Sequence, residues 1–105
     1  MFKQQKIIVG GTDICYVETN KDRGSTVFFL HGNSSCHRTW DAQLASEKLQ
    51  QYRMIAFDLP AHGASGTMPD YSLPALGKIM AAAIEQLSNG KPYLLAGGSF
   101  CTNII

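Results

Sequence analysis

The chain has 105 residues, 45% of them hydrophobic and 16% charged, with a formal net charge of +1. That length allows at most one domain with a modest core, and the near-neutral balance gives no electrostatic case for nucleic acid or an anionic membrane as partner. The N-terminus, Met1-Phe2-Lys3-Gln4-Gln5-Lys6, lacks the apolar core of a signal peptide, no stretch approaches the ~20 apolar residues that span a bilayer, and three cysteines, Cys15, Cys36 and Cys101, without framework spacing imply reduced thiols in a cytoplasmic compartment.

Residues 6–9 form a short β-prone run that ends at Gly10-Gly11. Asp13-Ile14-Cys15-Tyr16-Val17 follows with β-branched and aromatic residues, and the two runs predict a hairpin. Residues 20–25 are polar and read as a loop. Thr26-Val27-Phe28-Phe29-Leu30 is continuously apolar, as a parallel strand covered on both faces would be. After the polar stretch 31–39, apolar residues at 40, 44, 45, 49 and 52 approach helical spacing and predict a helix over 40–52, with Thr39 as its N-cap. Arg53-Met54-Ile55-Ala56-Phe57 is another apolar strand, ending at Asp58. Residues 59–70 hold two prolines and two glycines and read as a loop. Ser72 can cap the next helix, Pro74 is tolerated in its first turn, and Leu76, Ile79, Met80, Ala83, Ile84 and Leu87 give it an apolar stripe. Asn89-Gly90 ends that helix. Residues 93–96 are a final apolar strand, followed by Gly97-Gly98-Ser99 and the start of a third helix.

Alternation of strand and helix predicts an α/β fold, with a mostly parallel sheet of about five strands and flanking helices. Ligands of such sheets bind at the carboxyl ends of the strands. Those ends are His31-Gly32-Asn33, Asp58-Leu59-Pro60 and Gly97-Gly98-Ser99, so the unusual residues gather at one edge. The segment 96–101 has the layout of a nucleophile elbow, G-x-S-x-G, in which a sharp strand-to-helix turn exposes the serine hydroxyl. Gly97 fills the first glycine position, and Cys101 stands where the last glycine belongs.

Three motifs, in order and each after a strand, make the chain resemble the N-terminal part of an α/β-hydrolase. Phe29-Leu30-His31-Gly32-Asn33 resembles the His-Gly loop after the third strand. Residues 57–65, Phe57-Asp58-Leu59-Pro60-Ala61-His62-Gly63-Ala64-Ser65, resemble the D-x-P-G-H-G-x-S segment after the fourth, with Ala61 where glycine is usual. Residues 96–101 resemble the elbow. The resemblance covers all of 1–105 but only the first part of the family's domain. The chain is therefore expected to be a partial domain cut just after the elbow, either a fragment of a complete enzyme or a truncated product.

The resemblance implies a serine hydrolase that acts on an ester or related acyl bond of a small molecule. Ser99 would be the nucleophile. The backbone N–H groups of Phe100 and Asn33, with Ser34 as the alternative, would form the oxyanion hole. His31, Gly32, Asp58, His62, Gly97 and Gly98 would organise the site, His31 and His62 by fixing their own loops. His37 carries no motif and is expected in solvent. Trp40 is expected in the core or a pocket wall, and Cys36 and Cys101 are expected to be inert thiols. No metal or other cofactor is expected. Asn33 invites comparison with the halide-binding residue of haloalkane dehalogenases, but those enzymes and the epoxide hydrolases use an aspartate nucleophile, and the elbow here carries serine. The family's acid and histidine follow the serine in chain order. Their absence after Ser99 leaves a second reading open, a non-catalytic α/β-hydrolase-like binding or interaction module. The family's strand order, 1-2-4-3-5, would also make 93–96 an edge in this chain, open to self-association or to pairing with a missing C-terminal segment.

Overall fold

The computed structural model describes residues 3–22, 24–31, 36–69 and 71–97. Five strands form one sheet in the order β1-β2-β4-β3-β5: β1 Gln4–Val9, β2 Thr12–Thr19, β3 Ser25–Leu30, β4 Tyr52–Phe57 and β5 Tyr93–Gly97. β2 is antiparallel to β1 and β4, while β3 runs parallel to both β4 and β5. The hairpin forms as its sequence dictates. Val9 pairs with Thr12, and Gly10 and Gly11 between them take φ of 55° and 82°, the left-handed values that a tight two-residue turn requires.

Side chains of the central strands alternate between two cores, because successive Cβ atoms point to opposite faces. One face buries Ile14, Phe28, Leu30, Ile55 and Phe57 under Met80, Ala83 and Ile84 of helix α2, Leu73–Ser88. The other buries Val17, Phe29, Met54 and Ala56 against Leu44 and the half-buried Trp40. This double coverage is why β3 and β4 read as unbroken apolar runs. Phe28 stacks on Phe57 with ring centroids 5.7 Å apart, and Tyr93 meets Phe28 edge-on at 5.3 Å, which ties β5 to the α2 side of the sheet. Arg53 Nε donates to Glu18 Oε2 at 2.5 Å, and its guanidinium also reaches the Leu87 carbonyl, so the start of β4 is joined to β2 and to the end of α2.

α2 follows its sequence signals closely. The Ser72 hydroxyl accepts from the Ala75 N–H, and Asn89 and Gly90 leave the helix through left-handed φ of 54° and 76°. The helix expected over 40–52 is corrected. A 3₁₀ turn covers His37–Trp40, helix α1 covers only Asp41–Leu44, and a second 3₁₀ turn covers Glu47–Leu49. Thr39 is not a cap. The first turn begins two residues earlier, where Asp58 captures the His37 N–H. Propagation stops at Ser46, which is extended at φ −68° and ψ 125°. The Gln50 side chain donates to the Ser46 and Leu44 carbonyls, acceptors that a continuing helix would need for its own N–H groups. The expected start of a third helix lies outside the described residues.

Candidate active site

β3, β4 and β5 end level. Leu30 is the register partner of Phe57 on one side and of Gly97 on the other, so the chain leaves all three strands along one line at the carboxyl edge. His31 and Asp58 are the first residues beyond β3 and β4, and both are fully buried. Of the residues expected in the site, Gly97 closes β5. Gly32, Asn33, Ser34, Gly98, Ser99, Phe100 and Cys101 lie outside the described residues.

Asp58 is the centre of the described part. Its Oδ1 accepts from the His37 backbone N–H at 2.6 Å and faces His37 Nδ1 at 2.8 Å, and its Oδ2 accepts from the Ala64 N–H at 2.9 Å. Burial pushes the Asp58 carboxyl up, but the Ala64 and His37 N–H groups and the imidazole outweigh it and hold the group below its ordinary range. The Cys15 thiol, buried in β2, also lies against this carboxylate. Burial first and Asp58 second push it up to about 11. Cys15, His37 and Asp58 thus bring three potential metal-ligand atoms within 4.8 Å of one another. Their chemistry is that of a hydrogen-bond network: the carboxylate oxygens are taken by N–H donors, and the thiol is held protonated.

His31 Nε2 accepts from the Leu59 N–H at 2.9 Å, which fixes the tautomer with the proton on Nδ1. His62 Nδ1 lies 2.9 Å from the Pro60 carbonyl and so donates to it, and the two imidazole rings sit 5.0 Å apart. The loop is closed by Ser65. Its hydroxyl donates to the Asp58 carbonyl at 2.6 Å and accepts from the Cys15 N–H at 2.7 Å, binding the loop to β2. Gly63 has no room for a side chain: a Cβ there would lie 2.3 Å from Asp58 Oδ2, and φ is 52°.

His37 is the largest departure from expectation. Instead of standing in solvent it is buried, 6% exposed, with its ring on Asp58. The two residues are 21 apart in sequence, and no local pattern joins them. Ser65 was legible as the last member of its motif, but its reach to β2 was not. Trp40 lies where a core residue was expected, 4.9 Å from the Phe29 ring. Cys15 and Cys36 are free thiols, the first buried and the second half-buried.

A family model described as the alpha/beta hydrolase family matches residues 27–100, more than half of the chain. The chain belongs to that family. Solved structures agree with it at the level of fold. The Cif epoxide hydrolase from Acinetobacter nosocomialis is 28% identical with a TM-score of 0.83, over 91% of this chain and 30% of that one. An N-acyl homoserine lactonase mutant, complexed with N-hexanoyl homoserine lactone, is 27% identical with a TM-score of 0.85, over 97% of this chain and 38% of that one. A thioesterase domain from the curacin biosynthetic pathway is 25% identical with a TM-score of 0.83, over 94% of this chain and 36% of that one. The chain therefore spans about a third of the length of these hydrolases. Among curated proteins, none matches it. No helix of the described residues is long and apolar enough to cross a membrane.

Proposed function

We propose that the chain carries the nucleophile and oxyanion-binding part of a serine hydrolase that acts on a carboxylic ester or related acyl bond. The observation that carries this reading is the pairing of Leu30 with Gly97. β3 and β5, the strands that precede Asn33 and Ser99 in the sequence, are therefore adjacent and end at the same level. In the reaction, Ser99 Oγ attacks the carbonyl carbon and the hydroxyl proton passes to a base or to solvent. The carbonyl oxygen takes the negative charge, facing the Asn33 and Phe100 N–H groups. The alkoxide then leaves and Ser99 is acylated. The neighbours' named activities cover epoxides, lactones and thioesters. Serine rather than aspartate at position 99 favours the acyl substrates.

The sequence holds three histidines, and the described bonds give two of them structural work, His31 on Leu59 and His62 on Pro60, and hold the ring of the third on Asp58. We infer that turnover by these 105 residues is feeble, because a serine without its base is a weak nucleophile and an oxyanion hole alone leaves only residual catalysis. The test is incubation with 4-nitrophenyl acetate, followed by mass spectrometry of the Ser99 peptide. The expected result is acetylated Ser99 with little steady-state turnover, and no such adduct in Ser99→Ala. Cys101 in place of the elbow glycine favours the second reading, a non-catalytic binding module, for which an unmodified Ser99 is the expected result. Robust turnover lost in Ser99→Ala would instead identify one of the three histidines as a base.

A further inference from the structure

An open cavity of about 370 Å³ lies between the β1-β2 hairpin, Met68-Pro69 and one side of α2. Its helical wall is Ala75, Lys78, Ile79 and Ala82, spaced three and four apart and so on a single face. Val9 and Ile79, both packed on the α2-side core, give it branched apolar surface. The residues around them are too small to fill it: Ala75, Ala82 and Gly10, where an added Cβ would meet nothing within 4 Å. The opposite wall is tied down. The Thr12 hydroxyl donates to the Thr67 carbonyl at 3.3 Å, and the Met68 N–H donates to the Tyr71 hydroxyl at 3.0 Å. Lys78 is the one charged residue among those that line the cavity, and it enters neither of the two ion pairs among the described residues.

We propose that this cavity binds a medium-chain fatty acid, its apolar tail between the hairpin and α2 and its carboxylate at the Lys78 ammonium. The volume falls within the roughly 300–1,000 Å³ of small-molecule sites. The hydroxyl of Thr12 is already engaged with Thr67, so the lining calls for an apolar occupant rather than a polar one. Lys78 then selects the head group. Its methylene stem continues the apolar wall while the ammonium stays at the solvent side. One unpaired cation with no acid among the lining residues matches one negative charge, and a dianionic phosphate would leave a charge uncompensated. Met68, with an unbranched and adaptable side chain, can follow a flexible tail. None of the lining residues belongs to the Asp58 network, so the site stands independently of the serine-hydrolase reading.

The test is calorimetric titration of the chain with sodium decanoate below its micellar concentration, beside decanol and decyl phosphate. Two variants are used, both at exposed positions of α2: Ala82→Phe, which fills the cavity, and Lys78→Gln, which removes the charge. Melting curves check that each variant folds. The expected result is saturable binding of decanoate that weakens with added salt and is lost in Ala82→Phe. Lys78→Gln should weaken decanoate about three- to tenfold, the range of a solvent-exposed ion pair and somewhat above, and leave decanol unchanged. The absence of saturable decanoate binding would overturn the proposal. So would binding that survives in folded Ala82→Phe, which would place the acid on another apolar surface. Equal effects of Lys78→Gln on decanoate and decanol would remove the carboxylate from Lys78, and tighter binding of decyl phosphate than of decanoate would overturn the choice of head group. If Ala82→Phe does not fold, the Lys78→Gln comparison still decides.

Discussion

Ala61 holds φ at 63°, a left-handed backbone that an L side chain adopts at a penalty of roughly 1–2 kcal/mol. It stands in the loop motif where the family resemblance expects glycine, and its N–H is committed to the Gly66 carbonyl at 2.7 Å, so the geometry is held in place. Ala61→Gly should relieve the strain, less the ~0.4–1 kcal/mol that a glycine adds to the unfolded chain's entropy. A net gain of about 0.5–1 kcal/mol is expected, read as a higher urea midpoint at constant slope. Gly63→Ala, with its Cβ driven into Asp58, should do the opposite and more strongly. Cys15 makes a separate prediction. Its thiol is pushed from an ordinary 9.0 to about 11, so between those values the unfolded chain has released a proton that the folded chain keeps. The folded state then binds more protons, and stability falls as pH rises through this window. Cys15→Ala should flatten that decline in denaturation curves taken from pH 8 to 11. A residual slope should remain from Tyr16, which burial and then Glu18 also raise.

Among the elements, α2 was readable because everything that defines it is local: a cap, a stripe at helical spacing and an Asn-Gly stop. Ser72→Ala removes the oxygen that accepts the Ala75 N–H at 3.3 Å and should cost about 1 kcal/mol of stability, with the loss of helix signal confined to the first turn. The segment 37–49 was not readable for the converse reason. Its apolar spacing is genuine, and Leu44 and Trp40 do pack on the sheet, but its start is fixed by Asp58 and its interruption by the Gln50 side chain. Tertiary bonds here override a weak local preference. The strands were legible as apolar runs, and their spatial order agreed with the order implied by the family. The site divides the same way. Motif residues such as His31, Asp58 and Ser65 stand out in the sequence. His37 does not, because a buried imidazole 21 residues from its partner leaves no pattern to read.

At the scale of the molecule, the two sheet edges differ in a way that governs association. β1 carries Lys6 on its exposed face, next to the exposed Ile8, and a charge on an edge strand discourages pairing with another chain. β5, Tyr-Leu-Leu-Ala-Gly, carries no charge at all. Among the described residues it pairs only with β3, and Tyr93 and Leu94 remain 44% and 59% exposed. Among the described residues, space is left on both faces beside it. A cavity of about 140 Å³ lies between Tyr93, Leu95 and the α2 residues Gly77, Met80, Ala81 and Ile84, and another of about 270 Å³ is lined by Ser25, Thr26, Tyr52, Pro92, Tyr93 and Leu94. An added strand would satisfy the outer N–H and C=O groups of β5 and could place alternate side chains in the two cavities. A second copy of the chain offers such a strand, and burying the exposed part of Leu94 in the pair is worth roughly 1–2 kcal/mol per copy. The 105-residue chain is therefore expected to self-associate through β5. Light scattering over a concentration series should show the apparent mass rising with concentration. Leu94→Lys, which puts a charge on that edge, should hold the chain monomeric without lowering its melting temperature by more than a few degrees. A compact monomer at high concentration, with a cooperative melt, would mean that the β5 edge is covered from within the chain.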